Sequence, residues 1–215
     1  MRRKEKFRSQ MIYHIFNKSI ANFRIFSSSD IRVRFIETLD YYNNDSLKYK
    51  YSVAKEKKVY QYNNILIPKS GAFVKFLSYN IMPDHYHLVT KIVNDDYLSK
   101  YLGIVENSYC RYFNIKFRRN GPLFQSRFKA VRIRTNEQLL HVTRYVHLNP
   151  TTAGLVDKPE DWPDSSYPDI ITDEKYLRKY LTEISIKTPT TYKKFVENNL
   201  DYQKKLKQIK KLLLE

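Results

Sequence analysis

The chain has 215 residues, with 39 Lys and Arg against 22 Asp and Glu, so its formal net charge is +17. That length predicts one domain with room for an appendage, and the charge predicts a polyanionic partner, either nucleic acid or an anionic membrane. No stretch approaches the roughly 18 consecutive apolar residues of a membrane span. Cys110 is the only cysteine, and no apolar segment of signal-peptide length follows the basic residues 1–6. We therefore expect a cytoplasmic protein with no disulfide and no membrane segment.

The first elements are a strand and an amphipathic helix. Residues 11–17 are rich in β-branched and aromatic side chains, which favours a strand. Serines at 27–29 can cap a helix, and the apolar residues behind them recur at helical spacing: Ile31, Phe35, Leu39 and Tyr42. Residues 46–70 are polar and indicate a long insertion, a solvated loop with at most a turn or two of helix.

Strands and helices also alternate from residue 72 onward. Residues 72–92 predict a β-hairpin turning at Pro83-Asp84, and a long helix follows Asn94 and Asp95, ending at residues 118–122. Residues 123–133 predict another strand. Thr135 and Gln138 have the spacing of a capping box, which opens a helix that ends near Leu148, before Asn149-Pro150.

The order β-α-β-β-α-β predicts an α+β protein with a ferredoxin-like, split βαβ fold: a four-stranded antiparallel sheet with two helices on one face. The helix from Thr135 could cover part of the other face. Residues 151–170 are loop, and residues 172–215 indicate two polar helices, the second basic and amphipathic with Phe195, Leu206, Ile209 and Leu213 on its apolar side. We therefore predict a main domain over residues 1–170 and a basic helical extension over residues 171–215.

His85 and His87 flank Tyr86 in the returning strand of the hairpin. Alternate residues of a strand share a face, roughly 6.5–7 Å apart, so the two imidazoles can converge on one metal ion or one phosphate while Tyr86 enters the core. Alone the pair is a weak signal, and two polar side chains on an open sheet face are the alternative.

Tyr145 and Asn149 lie four residues apart and so share one face of the predicted helix. The apolar residues Leu139, Val142 and Val146 lie on another face and would hold the helix against the sheet. A tyrosine hydroxyl can attack phosphorus, and an amide oxygen can complete a metal site with two imidazoles. A surface tyrosine and an asparagine at the end of a helix are the alternative.

Several motifs occur in order over residues 10–170: YHIFNK at 13–18, MPDHYHL at 82–88, FN at 113–114, GPLFQSRFK at 121–129, RYVHLNP at 144–150, AGLV at 153–156, and Trp162 with Ser165-Ser166. In these motifs the chain resembles the REP-associated tyrosine transposases, within the single-tyrosine HUH transposase superfamily. The resemblance implies a ferredoxin-like HUH endonuclease domain. The insertion at 46–70 and the segment after 170 depart from the family pattern, which leaves DNA specificity and the choice between monomer and homodimer open.

The resemblance also implies site residues. The family nucleophile falls on Tyr145 and the metal ligands fall on His85, His87 and Asn149. Tyr145 would attack DNA to give a 5′-phosphotyrosine and a free 3′-hydroxyl, as in covalent catalysis. Ligand softness alone favours zinc or a later transition metal. The resemblance favours Mg²⁺ or Mn²⁺, with phosphate oxygens completing the shell. His141, four residues before Tyr145, could help remove its proton, or could be an ordinary surface histidine.

Basic residues cluster between the long helix and the capped helix, and alternating cations along a strand suit a DNA backbone track. They are Arg118, Arg119, Arg127, Lys129, Arg132 and Arg134. A solvated strand face is the alternative. The expected target is single-stranded or hairpin DNA, because the nucleophile must reach an unpaired backbone.

Three functions remain open at this point. The first is a metal-dependent endonuclease and strand transferase of single-stranded or hairpin DNA. The second is a domesticated relative that binds DNA hairpins without cutting them. The third is a metal-dependent phosphodiesterase that uses water and leaves Tyr145 as packing. Trapping a covalent protein–DNA adduct would separate them.

Overall fold

The computed structural model describes residues 6–62, 66, 70–94 and 97–200. In these residues four strands form one sheet: β1 (Ile12–Lys18), β2 (Val74–Ile81), β3 (His85–Ile92) and β4 (Lys129–Ile133). The helices of the described residues are α1 (Ser29–Tyr42), α2 (Tyr51–Glu56), α3 (Leu98–Lys116), α4 (Asn136–Thr152), α5 (Tyr167–Thr172), α6 (Glu174–Tyr180) and α7 (Pro189–Glu197). Short 3-10 turns occupy Ile20–Asn22 and Pro159–Asp161. No helix within the described part of the chain is long and apolar enough to cross a membrane.

The strand order is β2-β3-β1-β4, and all three strand pairs are antiparallel. The predicted ferredoxin-like α+β fold is therefore confirmed. Helices α1 and α3 pack together on one face of the sheet, where Phe35 contacts Tyr86 and the hydroxyl of Tyr101 donates to the carbonyl of Leu39. Helix α4 packs on the other face against β2 and β3, as predicted for the helix from Thr135.

The predicted strand at residues 123–133 is too long, because only Lys129–Ile133 pairs with β1. Residues 123–125 instead cross the end of β1. Leu123 accepts from the amide of Ile20, the amide of Gln125 donates to the carbonyl of Lys18, and Phe124 makes an isolated bridge to Ser19. These contacts lie beyond Phe16, the last residue of β1 that pairs with β4, so this segment closes that end of the sheet.

Helix α4 begins as predicted and ends later than predicted. The side chain of Thr135 accepts from the amide of Gln138 at 3.1 Å, while the Gln138 side chain accepts from Arg134. Pro150 lies inside the helix, which continues to Thr152. Proline has no N–H for the carbonyl four residues earlier, but Asn80 Nδ2 donates to that carbonyl, on Val146, at 2.9 Å. The substitute bond keeps Asn149 in helical register with Tyr145.

Outside the sheet, the insertion and the predicted extension both carry helices. Helix α2 is the short helix expected within residues 46–70, and its Tyr51 and Ala54 pack with Tyr41 in a small separate cluster. The first predicted polar helix of the extension corresponds to α6, and the second begins with α7. The prediction of loop over residues 151–170 is wrong at its end, because α5 begins at Tyr167. Tyr192 and Val196 of α7 are fully buried in the main core, so this part packs on the domain. The boundary at 170/171 stays a prediction, and Leu206, Ile209 and Leu213 lie outside the described residues.

The long helix α3 begins after Tyr97, which occupies its N-cap position. Two residues are predicted from the sequence to cap this helix. Asn94 lies four residues before its first residue and does not cap it, and Asp95 lies outside the described residues. The helix ends at Lys116, close to the predicted stop, and Arg118 then adopts a left-handed conformation with φ 49°.

Candidate active site

His85 and His87 lie on the face of β3 that α4 covers in part. In the ladder between β1 and β3, His87 pairs with Phe16 and His85 pairs with Lys18. Their ring centroids are 5.0 Å apart. Tyr86 points to the opposite face, where it is fully buried and its hydroxyl donates to Glu106 at 2.7 Å. The strand therefore separates the two histidines from the tyrosine as the alternation predicts.

Helix α4 brings Tyr145 to the two histidines. The ring centroid of Tyr145 is 5.5 Å from that of His87, with the planes nearly perpendicular at 84°. Tyr145 is 44% exposed, so its phenol is accessible to solvent. A phenol beside the histidine pair and open to solvent can be reached by a DNA strand.

His87 is fixed by a histidine that the sequence analysis did not assign. His14 Nε2 lies 2.9 Å from His87 Nδ1, and the two rings stack at a centroid distance of 5.1 Å. The remaining nitrogen, His87 Nε2, is buried and has no hydrogen-bond partner among the described residues. His14 lies two residues before Phe16 on the central strand β1, so it faces the same side of the sheet as Phe16 and His87. This alternation is the sequence signal that could have identified His14 as a site residue.

His85 is held in the same way by a carboxylate. Its Nδ1 lies 2.6 Å from Asp84 Oδ1, and Lys18 lies 3.5 Å from the second oxygen of Asp84. Burial acts to raise the pKa of Asp84, but the hydrogen bond and charge of His85, together with Lys18, outweigh it and lower that pKa. Both site histidines thus use Nδ1 for a protein partner. An imidazole held this way presents Nε2 as its ligand atom.

The interior of the site favours neutral imidazoles. Burial holds the pKa of His87 well below its ordinary value, and the charges of His85 and His14 act in the same direction. Burial also lowers the pKa of His14 to about 4. Because a metal ion binds the unprotonated nitrogen, these shifts leave the lone pairs available at neutral pH.

Asn149 lies one turn beyond Tyr145 on α4, about 6 Å further along the axis. Its Nδ2 is buried without a partner in the described structure, as is Oδ1 of Asn80. Turning the Asn149 amide over would exchange its two terminal atoms and place Oδ1, the atom that can bind a metal ion, at this position. The structure brings Tyr145 into contact with His87 but shows no direct contact of Asn149 with either histidine.

The donor set fits a divalent metal ion. His87 Nε2 is an unsatisfied buried atom, Asn149 carries another, and each histidine has its second nitrogen engaged. Among the described residues, no three His, Cys, Asp or Glu side chains are placed to hold a metal ion together. The predicted ligands are instead two histidines and the amide of Asn149.

The predicted DNA-binding cations lie on both faces of β4, in the segments that flank it and after the end of α3. Lys129 pairs with Phe16, so it shares the face of His87, and Arg127 is exposed just before it. Arg132 lies on the other face of β4, with a guanidinium nitrogen 2.7 Å from the sulfur of Met11 and Nε buried. Arg134 follows the strand and is exposed. Alternation along a strand therefore divides these cations between the two faces.

Arg118 and Arg119 lie after the end of α3. Arg118 is exposed, while Arg119 donates to Asn114 at 2.8 Å and lies 6.0 Å from the ring of Phe23. Because Phe23 follows β1, Arg119 is near the end of the sheet that carries His85. Of the six predicted cations, Lys129 shares the face of the candidate site with Arg127 just before it, and Arg118 and Arg119 lie at the adjoining edge.

Two further histidines have other surroundings. His141 is exposed, with Nδ1 2.7 Å from Arg144 and Nε2 3.8 Å from Glu137, so its neighbours are on its own helix. His147 is fully buried, with Nε2 2.9 Å from Ser166 Oγ and Nδ1 2.9 Å from the Tyr192 hydroxyl. This network joins α4 to α7 and fixes the back of the helix that carries Tyr145.

Comparisons with known proteins agree with the fold and the motifs. The family model described as "Transposase IS200 like" matches residues 45–149. A Haemophilus influenzae protein assigned to the REP-associated tyrosine transposases is 32% identical over 107 residues, which cover 45% of this chain and 60% of that protein. The matched segment thus spans about three fifths of the length of that relative.

A solved structure of a REP-associated tyrosine transposase bound to a REP hairpin superimposes with a TM-score of 0.54. The match covers 86% of this chain and 94% of that one, at 16% sequence identity, and so supports the fold. Together the comparisons confirm the resemblance to the REP-associated tyrosine transposases that the motifs indicate.

Proposed function

We propose that this chain is a single-tyrosine HUH transposase that cleaves and rejoins single-stranded or hairpin DNA. The observation that carries the proposal is the position of Tyr145, which is exposed and in ring contact with a histidine whose Nε2 is buried and free. The family resemblance and the basic residues beside the site support a DNA substrate. The relative solved with a REP hairpin makes a hairpin with single-stranded flanks the first substrate to test. A DNA substrate also suits a cytoplasmic location.

His85, His87 and Asn149 would hold Mg²⁺ or Mn²⁺. When bound there, such an ion polarises the scissile phosphate and orients its oxygens. His14 and Asp84 orient the two imidazoles. Phosphate oxygens and water would complete the coordination.

Tyr145 would be the nucleophile of the covalent step. Its hydroxyl gives up a proton, and the phenolate oxygen attacks phosphorus. The bond to the 3′-oxygen breaks, that oxygen takes up a proton, and the 5′-phosphate remains on the tyrosine. Attack by a 3′-hydroxyl on this phosphotyrosine reverses the step and rejoins DNA without ATP. Arg127 and Lys129 would hold the strand by its phosphates.

The exposure of Tyr145 favours this mechanism over hydrolysis by water, in which the tyrosine is only a packing residue.

To test the covalent mechanism, a radiolabelled hairpin oligonucleotide with single-stranded flanks is incubated with protein and Mn²⁺, then run on a denaturing gel. A labelled protein band is expected for wild type. His87→Ala should lose the band while keeping its fold and hairpin binding, and excess chelator should have the same effect as His87→Ala. Full activity in chelator would contradict the metal assignment. Hairpin binding with no adduct in any divalent metal would support the non-cleaving alternative.

A further inference from the structure

A basic groove lies on the side of the molecule opposite the candidate active site. Its walls are α1, the segment before α2, and α3, and its volume is about 640 Å³. Since α1 and α3 cover the sheet face opposite the histidines, the groove is separated from the candidate active site by the sheet and a helical layer. The cations along it are Arg34, Lys48, Lys50, Arg111 and Lys116, and no Asp or Glu is among its described lining residues.

Arg34 is the least exposed of these cations and forms no ion pair with a carboxylate of the described residues. Its guanidinium carbon lies 3.8 Å from the centre of the Tyr51 ring and 4.7 Å from that of Tyr112. Its Nε is buried with no hydrogen-bond partner among the described residues. The nearby Glu37 is engaged by Lys55 and by the hydroxyl of Tyr51. The two rings thus hold the guanidinium beside the groove, where the partly exposed Arg34 places a positive charge.

The outer cations are also available. Lys48, Lys50 and Arg111 are exposed and form no ion pair with a described residue, whereas Lys116 is paired with Asp30 at 2.6 Å. Tyr49 is 42% exposed and lies between Lys48 and Lys50 in sequence, and Tyr112 lines the groove from α3. Exposed cations beside an exposed aromatic ring, here Tyr49, are typical of sites that bind a nucleic acid strand by its phosphates and stack its bases.

We propose that this groove binds a second, single-stranded segment of the DNA on which the active site acts. Arg34, Lys48, Lys50 and Arg111 would contact phosphates, and Tyr49 would stack on a base. The groove depends on residues 47–52, which lie within the insertion at 46–70. The inference rests on the proposed function for the identity of the strand as DNA.

The test measures binding in a Tyr145→Phe background, so that no cleavage is required. The groove variant is Lys48→Ala/Lys50→Ala/Arg111→Ala. The matched control is Lys158→Ala/Lys175→Ala/Lys194→Ala, whose residues are also exposed and lie outside the groove. Each triple substitution removes three positive charges, taking the formal charge from +17 to +14. Fluorescence anisotropy then follows a labelled oligodeoxythymidine of about 20 nucleotides over a series of salt concentrations.

We expect the groove variant to lose about 2 units from the slope of log K against log salt, because each single-strand phosphate contact contributes about 0.7. Its affinity at low salt should fall at least tenfold further than that of the control. Photocrosslinking of an iodouracil strand should label peptides within residues 47–56 and 104–116. Equal slopes for the two triple variants, or crosslinks confined to α4 and β4, would overturn the proposal.

Arg34→Gln provides a second measurement once circular dichroism shows that it folds. The variant removes one positive charge from the groove and should weaken oligonucleotide binding. Unchanged affinity would count against the proposed groove. A failure of wild type to form a DNA adduct would contradict the proposed chemistry while leaving these binding results valid, so the two proposals can fail separately.

Discussion

Asn80 Nδ2 donates to the main-chain carbonyl of Val146 at 2.9 Å, and that carbonyl is the acceptor left without a helical donor by Pro150. Asn80 pairs with His87 across the β2–β3 ladder, while Val146 follows Tyr145. One hydrogen bond therefore joins the strand of the histidines to the helix of the candidate nucleophile.

This bond predicts a rescue. Asn80→Ala removes the donor and should lower the free energy of unfolding by about 1–3 kcal/mol, since a buried carbonyl is left unpaired. It should also reduce adduct yield by loosening the position of Tyr145. Pro150→Ala restores a backbone N–H to Val146, so the double variant should recover part of both losses relative to Asn80→Ala alone. Urea denaturation and adduct assays of the four proteins measure the coupling, and strictly additive effects would show that the two residues act independently.

A second prediction concerns His14, which contacts His87 Nδ1. His14→Phe keeps a ring but removes the hydrogen bond, and loss of such a partner typically weakens metal binding by about 10–100-fold. His14→Gln can retain a bond and should bind Mn²⁺ more nearly like wild type. Titration of free Mn²⁺ by electron paramagnetic resonance measures this without any DNA. Equal affinities for His14→Phe and wild type would remove His14 from the site.

The partly buried carboxyl of Asp169 gives a pH dependence of stability. Burial raises its pKa from 3.8 to about 6, so between these values the folded state binds more protons than the unfolded state. Its contribution to stability is complete below about pH 4 and is lost as pH rises through 6. Asp169→Asn should therefore be more stable than wild type by about 1–2 kcal/mol at pH 8, and the difference should shrink toward pH 4. Chemical denaturation at pH 4.5, 6 and 8 provides the comparison, and a constant difference would contradict the burial argument.

The two faces of β4 predict different roles for its cations. Lys129→Ala should weaken DNA binding and reduce the salt slope by about 0.7, as should Arg127→Ala. Arg132 points to the helical face and contacts Met11, so Arg132→Ala should leave the slope unchanged and mainly affect stability. If Arg132→Ala reduced the slope and Lys129→Ala did not, the strand faces would be misassigned.

Much of this site is encoded in local spacing. Alternation in β3 separates His85 and His87 from Tyr86, and a four-residue interval in α4 aligns Tyr145 with Asn149. The cap at Thr135 fixes where that helix begins. These features depend on neighbours within one element, and they are predictable from the sequence once the element type is known.

Other features depend on contacts between distant segments. The passage of α4 through Pro150 depends on Asn80, which lies 70 residues earlier. The role of His14 depends on β1 lying beside β3, and the short β4 depends on residues 123–125 bonding beyond the end of β1. Local propensity favours ending a helix before proline and extending a strand through Leu123–Phe128, and in both places tertiary hydrogen bonds reverse that preference.

The most direct test of the account is the identity of the attacking residue. Tyr145→Phe removes one oxygen from an exposed side chain, so folding and hairpin binding should be unchanged. Wild type with a hairpin substrate and Mn²⁺ should form a covalent adduct, and mass spectrometry should place the nucleotide on the peptide that contains Thr143-Arg144-Tyr145-Val146. The account predicts no adduct from Tyr145→Phe, and an adduct of normal yield from that variant would contradict it.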